Sequence, residues 1–76
     1  MADLKLTSKE YDAIIEAIVK RRQELGLSQK QYAEQIGVAQ STIGRIEAKH
    51  SVPSVDTLIN LIRPLGLTIT IKEITE

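Results

Sequence analysis

A short stretch near the middle of the chain, Gln40 to Ala48, carries small and polar side chains at helical spacing. When it is drawn as a helix of about 100° per residue, the apolar Ile43 and Ile46 fall on one side. The opposite arc holds small residues, an amide, a hydroxyl and a guanidinium: Gln40, Ser41, Gly44, Arg45 and Ala48. A glutamine amide matches the hydrogen-bonding edge of adenine, and an arginine guanidinium matches that of guanine. The pattern therefore favours a helix that enters a DNA groove over a solvated face, which would carry Glu and Lys.

Catalytic chemistry has less support in the sequence. His50 is the one histidine, and beside Lys49 in a loop it is expected to be solvated or to contact phosphate. The acidic side chains early in the first predicted helix are typical of a solvated face: Glu10, Asp12 and Glu16. The chain has no cysteine, and it shows no nucleophile motif, metal-ligand cluster or glycine-rich phosphate loop. We therefore expect no enzyme, no metal and no other cofactor.

Two short helices are needed to position the polar arc. Ser28 is a good N-cap for a helix over Gln29 to Ile36, and Gly37, which tolerates positive φ, closes that helix. The next helix is predicted from Gln40 to Ala48. Two short helices joined by a tight turn form a helix-turn-helix, and Ala33 supplies the small side chain that their close crossing needs.

A longer helix precedes this pair. It is expected to begin after Thr7 or Ser8, because Thr7 and Glu10 have the spacing of a capping box, and to end at Gly26 as a left-handed cap. One of its faces combines apolar residues with a single arginine: Tyr11, Ile14, Ile15, Ile18, Val19, Arg22 and Leu25. That face is the apolar stripe of the first helix.

The arginine on this apolar face, Arg22, needs an acceptor, because a lone buried charge is costly. Glu47, beside Ile46 at the end of the third helix, is the candidate. Such a pair would fix the first helix to the third. The alternative is that the Arg22 side chain extends along the surface to solvent.

The carboxyl-terminal third predicts a fourth helix and then a strand. Ser54 is the next N-cap, and Pro64 should end or kink the helix near Ile62 to Leu65, before Gly66. Its apolar positions are Val55, Leu58, Ile59, Leu61, Ile62 and Leu65. Residues 67–74 then alternate apolar and polar, with Leu67, Ile69 and Ile71 on the apolar side.

This predicted strand has no second strand in the chain to pair with, and an unpaired strand exposes its hydrogen-bonding edge. A symmetric dimer resolves the problem if the two copies pair with each other. The alternative is a frayed tail, which would leave Leu67, Ile69 and Ile71 in water.

Composition is that of one small globular domain over residues 1–76, with a helical bundle over residues 8–66. Hydrophobic residues make up 42% and charged residues 26%, and with no Phe or Trp the core must be mainly aliphatic. No segment resembles a membrane span or a signal peptide. Together with the lack of cysteine, this favours a soluble protein of the cytoplasm.

The net charge is zero, with 10 basic and 10 acidic side chains, although DNA-binding proteins are usually basic. Residues 20–50 hold six basic and three acidic side chains, whereas the rest of the chain holds four basic and seven acidic ones. The sequence is therefore neutral but polarised. Because DNA responds to the local field, the central part can still bind it.

The stretch GLSQKQYAEQIGVAQSTIGRIE, with Arg22 upstream, resembles the Xre/Cro/cI-type helix-turn-helix of phage repressors and bacterial regulators. The resemblance runs from about Arg22 to Leu65 and implies an all-α, lambda-repressor-like bundle of four to five short helices. It also implies that DNA contacts come from the second helix, the third helix and the following loop, at Gln29, Gln40, Ser41, Thr42, Arg45, Lys49 and His50. An Arg–Glu pair like Arg22 and Glu47 recurs in that family.

Three residues depart from the family pattern. Ala39 stands where Ser or Thr often caps the recognition helix, which weakens the start of that helix. Tyr32 replaces a usual Leu, so either the core is bulkier there or Tyr32 faces outward. Gly44 lies within the recognition helix, where it lacks a side-chain contact but permits close approach to DNA.

The fourth helix followed by LGLTITIKE resembles antitoxins of the HipB type, whose terminal strands pair across a dimer. We therefore expect a dimeric, sequence-specific transcriptional repressor that binds a palindromic operator in double-stranded DNA. The alternative is an antitoxin whose main role is to bind and neutralise a toxin protein. That partner rests on the resemblance, and no residue can be named for it.

Overall fold

The computed structural model describes residues 8–73, and the regular elements among these residues are all helices. In chain order the elements are α1 (Lys9–Glu24), α2 (Gln29–Ile36), α3 (Gln40–Glu47), α4 (Val55–Ile62) and a 3-10 helix (Arg63–Leu65). The predicted all-α bundle is therefore confirmed. The bounds of the second, third and fourth predicted helices are confirmed to within a residue or two.

Serine hydroxyls cap the starts of three of the helices. Ser8 accepts a hydrogen bond from the Tyr11 N–H at 3.0 Å, so Ser8 is the N-cap of α1. The predicted alternative cap, Thr7, lies outside the described residues. At α2 the capping box is complete, because Ser28 Oγ accepts from the Gln31 N–H while the Ser28 N–H donates to Gln31 Oε1.

The core lies where α1, α2, α3 and α4 meet, and its aliphatic character is confirmed. Its buried members are Ile15, Ile18, Tyr32, Ala33, Ile43, Ile46, Leu58, Leu61, Ile62 and Leu65. The prediction that Leu25 belongs to the buried face of α1 is wrong, because its side chain is 43% exposed. Leu25 is the C-cap of α1 and still has a helical backbone, but it lies beyond Arg22, which is the last buried residue of that face.

Tyr32 is fully buried, which decides between the two predicted positions for this side chain. Its hydroxyl donates a hydrogen bond to the carbonyl of Leu61 and so joins α2 to α4. Burial, and secondarily the charge of Glu47, raise the pKa of the Tyr32 phenol above its ordinary range. The hydroxyl is therefore held in its neutral, donating form.

The carboxyl-terminal segment differs from the prediction. Gly66 adopts a left-handed conformation at φ 72°, and the Leu67 N–H donates to the Ile62 carbonyl at 3.2 Å, which ends the helical part. Residues 67–73 form no strand, because a strand requires a second strand and the described part of this single chain supplies none. The last residue of the predicted strand, residue 74, lies outside the described residues.

The side chains of this segment divide between the core and solvent. Leu67 packs partly against the core, whereas Ile69 is 40% exposed and Ile71 is 94% exposed. Within residues 8–73, no helix is long and apolar enough to cross a membrane.

Candidate nucleic-acid interface

The turn between α2 and α3 sets the angle at which α3 leaves the core. Gly37 adopts the left-handed conformation at φ 88°, as predicted. The carbonyl of Ala33 accepts hydrogen bonds from the N–H groups of Gly37 at 2.8 Å and Val38 at 3.1 Å. Ala33 is buried, which allows the two helices to cross closely.

The third helix is anchored on one side and open on the other. Ile43 and Ile46 are buried against the core. The residues of the predicted arc, which we call the α3 outer face, are Gln40, Ser41, Gly44, Arg45 and Ala48. Of these, Gly44 is half-buried and the other four are exposed. The neighbouring Thr42 is exposed as well. The predicted placement of these residues on a solvent-facing surface is confirmed, whereas their contacts with DNA stay a prediction.

The amino-terminal end of α3 has no side-chain cap, as predicted from Ala39. Ala39 has the extended conformation of an N-cap, at φ −70° and ψ 147°, but it carries no hydroxyl or carboxylate to accept a hydrogen bond. The Thr42 N–H instead donates to the Ala39 carbonyl at 3.0 Å, and no side-chain cap serves the N–H groups of Gln40 and Ser41.

Arg22 and Glu47 form the predicted ion pair. Arg22 Nε lies 2.7 Å from Glu47 Oε2, and Nη2 lies 3.0 Å from Oε1, so the contact is bidentate. Arg22 Nη1 also donates to the Leu27 carbonyl at 2.6 Å. The pair thus joins α1, the α1–α2 loop and α3, and it excludes the alternative in which Arg22 extends to solvent.

Gln29 borders the α3 outer face from the neighbouring helix. Its Nε2 donates to Glu47 Oε1 at 2.9 Å, so the carboxylate that pairs with Arg22 also orients this amide. Its Oε1 would lie 3.6 Å from a Cβ atom placed on Gly44. The sequence predicted Gln29 near DNA, but it gave no sign of the Glu47 bond, because that contact depends on how α2 and α3 cross.

The Lys49 side chain is not oriented as its predicted contact with DNA would require. Its Nζ lies 2.9 Å from Glu16 Oε2 and 3.9 Å from Asp12 Oδ1, so the side chain points back along α1 rather than toward the α3 outer face. The hydrogen bond with Glu16 raises the pKa of the Lys49 ammonium. Lys49 also has a positive φ of 65°.

His50 remains on the surface in the loop after α3. Its backbone N–H donates to the Arg45 carbonyl at 2.9 Å, and its side chain is exposed. Together with the Lys49 N–H bond to the Ile46 carbonyl at 3.0 Å, this contact ends the helix. The loop therefore has a defined backbone beside the carboxyl-terminal end of α3.

The ion pairs reduce the separation of charge that the sequence shows between residues 20–50 and the rest of the chain. Arg22 is neutralised by Glu47. Lys49 pairs with Asp12 and Glu16, two acidic residues that lie outside the basic part of the sequence, residues 20–50. Arg45 is the exposed cation of the α3 outer face itself. The positive field there is thus smaller than the count along the sequence suggests. Across residues 8–73, no three acidic or histidine side chains are grouped as metal ligands.

Two comparisons with known proteins bear on this geometry. The model of the helix-turn-helix family matches residues 18–72, which include α2 and α3. A protein of Haemophilus influenzae named an uncharacterized HTH-type transcriptional regulator is 44% identical over 59 residues. That match covers 78% of this chain and 60% of the relative, so the chain spans less than two thirds of the relative's length.

Proposed function

Because this chain belongs to the Xre-type helix-turn-helix family of DNA-binding transcriptional regulators, we propose that it is a sequence-specific repressor. In this proposal α3 enters the major groove of double-stranded DNA and its outer face contacts base edges. The observation that carries the proposal is the division of α3 into a buried apolar side and an exposed side of small and polar residues, with one arginine.

Each polar residue of α3 has a role that its chemistry supports. Arg45 presents a fork of donors that suits guanine O6 and N7, and Gln40 presents an amide that suits adenine. Ser41 and Thr42, near the uncapped start of the helix, suit bases or phosphate oxygens. His50 is exposed in the loop after α3 and suits a phosphate contact, whereas Lys49 would first have to leave Glu16.

A dimer that binds a palindromic operator is the second part of the proposal. Ile69 and Ile71 are exposed apolar side chains in a segment that has no regular structure within the described residues. Pairing this segment with its counterpart in a second copy would bury them along with the rest of Leu67. Two α3 helices would then meet half-sites about one helical turn apart. No contact among residues 8–73 favours the alternative of a toxin partner, which stays a prediction.

The test is selection of bound sites from random double-stranded DNA at two salt concentrations, with the wild-type protein and with Arg45→Ala. The proposal expects the wild type to enrich a palindrome. Arg45→Ala should lose discrimination at one base pair of each half-site by about 1–3 kcal/mol, because one bidentate base contact is removed.

Arg63→Ala is the matched control, since Arg63 is exposed in the 3-10 helix and not on α3. It should leave the selected sequence unchanged. If Arg45→Ala weakens binding to all sequences equally, Arg45 contacts phosphate rather than a base. If the wild type enriches no sequence, the proposed function is wrong.

A further inference from the structure

The amide of Gln29 lies beside the place where a side chain of residue 44 would begin. Gln29 belongs to α2, yet its Oε1 would lie 3.6 Å from a Cβ atom on Gly44, which is ordinary van der Waals contact. Within the described residues, it is the one heavy atom outside the local backbone that such a Cβ would meet within 4 Å. Gly44 thus leaves a space on the α3 outer face, and the Gln29 side chain of the neighbouring helix borders that space.

The orientation of this amide is fixed by charge. A carboxylate oxygen can only accept, so the group of Gln29 that faces Glu47 at 2.9 Å must be its NH2. Glu47 cannot turn away, because both of its oxygens are bonded to Arg22 in a contact that is about nine-tenths buried. The amide oxygen is therefore directed to the Gly44 side, and Gln29 is held in place before any ligand arrives.

Building on the proposed function, we propose that Gln29 replaces the missing side chain of residue 44 and selects the base pair that this turn of α3 faces. One N–H of Gln29 is used by Glu47, which leaves its second N–H and the lone pairs of Oε1. An acceptor and a donor on one amide match the N6 and N7 edge of adenine. Glu47 is the positioning residue for this contact, and it does not itself face the groove.

The experiment repeats the selection of bound DNA sites with Gln29→Met, Gly44→Ala and the double variant. Methionine has a similar length to glutamine but no amide. We expect Gln29→Met to lose enrichment at one position of each half-site, roughly five- to a hundredfold, while the other positions keep their preference.

Gly44→Ala tests the proposed contact between Gln29 and the base by changing α3 rather than Gln29 itself. The added methyl fits, because 3.6 Å requires no displacement, and alanine is the better helix former. The variant should therefore melt at a higher temperature than the wild type and yet lose selectivity at the same base pair, since the methyl covers part of the Gln29 amide. In the Gln29→Met background, Gly44→Ala should have no further effect on selectivity.

Gln35→Met is the matched control, because Gln35 is an exposed glutamine of the same helix. It should select the wild-type sites. The proposal is overturned if Gln29→Met weakens all sequences equally, which would show a phosphate contact, or if its selected sites are unchanged. If Arg45→Ala alters selection and Gln29→Met does not, the proposed function survives and this inference fails. A wild type that selects nothing removes both.

Discussion

Glu47 accepts hydrogen bonds from two other helices, through Arg22 of α1 and Gln29 of α2. The ion pair is nearly buried, with side chains that are 10% and 7% exposed. The effect on stability depends on whether both partners of the pair are replaced or only one is removed. A buried pair often adds little relative to an apolar pair of the same shape, but the loss of one partner leaves the other charge uncompensated.

Arg22→Met should lower the free energy of unfolding by about 3–5 kcal/mol, because the Glu47 carboxylate then stays buried without its cation. Urea denaturation followed by far-UV circular dichroism measures this change. Lys20→Met, which removes an exposed cation from the same helix, is the control and should change stability by less than about 0.5 kcal/mol. Equal effects of the two variants would contradict a stabilising role for the pair.

Tyr32 makes stability depend on alkaline pH. Its pKa is raised in the folded protein by burial, whereas the unfolded chain titrates near the ordinary value of about 10. The stabilisation is complete below about pH 10 and is lost as the pH rises above it, because the unfolded state then releases the phenol proton first. Melting temperatures between pH 8 and 11 should therefore fall less steeply for Tyr32→Phe than for the wild type.

Tyr11→Phe is the companion variant. The Tyr11 hydroxyl is buried and has no hydrogen-bond partner among the described residues, whereas the Tyr32 hydroxyl bonds to the Leu61 carbonyl. At neutral pH, Tyr32→Phe should destabilise the protein and Tyr11→Phe should leave stability unchanged or raised. A pH profile for Tyr32→Phe as steep as that of the wild type would contradict the assignment.

The helices differ in how their ends are satisfied. Ser8, Ser28 and Ser54 each accept a backbone hydrogen bond at the start of a helix, whereas α3 begins at Ala39 without one. Among the four α-helices the candidate recognition helix is therefore the one that begins without a side-chain cap. The cost is a weaker helix end in the free protein.

Ala39→Ser should raise the free energy of unfolding by about 1 kcal/mol, because Ala39 already has the backbone conformation of an N-cap and lacks only the hydroxyl. Denaturant titration measures the gain. Ala17→Ser is the control, since it places the same substitution at an exposed interior position of α1, where serine is the poorer helix former and should destabilise slightly. A loss of stability in Ala39→Ser would show that the added hydroxyl does not reach the α3 amides.

The helix ends were predictable because they depend on local chemistry. Ser28, Gly37, Ser54 and Gly66 mark boundaries through their own hydroxyl groups or their tolerance of positive φ, and each was placed correctly from the sequence. The Arg22–Glu47 pair was also predictable, because a charge on an apolar face needs a partner.

Contacts that depend on the geometry between elements were not predictable. The bond from Gln29 to Glu47 depends on the crossing of α2 and α3, and the orientation of Lys49 depends on its positive φ and on the position of α1. The strand predicted over residues 67–74 illustrates the same limit, because alternation describes one strand while pairing requires two.

At the scale of the whole molecule, apolar exposure is concentrated around the carboxyl-terminal segment. Val52 is 50% exposed, Val55 is 69% exposed and Ile71 is 94% exposed, and these side chains line one cleft together with Tyr11 and Ile69. A contiguous apolar surface of this kind is typical of an interaction site. None of the residues that line the cleft belongs to the α3 outer face, so a second copy could cover the cleft without covering those residues.

Ile71→Glu should shift the protein toward monomer, because a charge would then have to be buried between the two copies. Sedimentation equilibrium over a range of concentrations measures the shift, and circular dichroism should show an unchanged helix content, since Ile71 makes little contact within one chain. Lys72→Glu, at the exposed neighbouring position, is the control and should leave association unaffected. A monomeric wild type would contradict the proposed dimer.

The buried phenol of Tyr32 has a practical consequence for spectroscopy. The chain contains no Trp and no Phe, so its near-ultraviolet signal comes from Tyr11 and Tyr32 alone. Tyr32 is shielded from water and bonded to a carbonyl of α4, so its absorption and circular dichroism should change when α2 separates from α4. The protein therefore carries its own optical reporter of packing between the helix-turn-helix and the rest of the bundle, and no added label is needed.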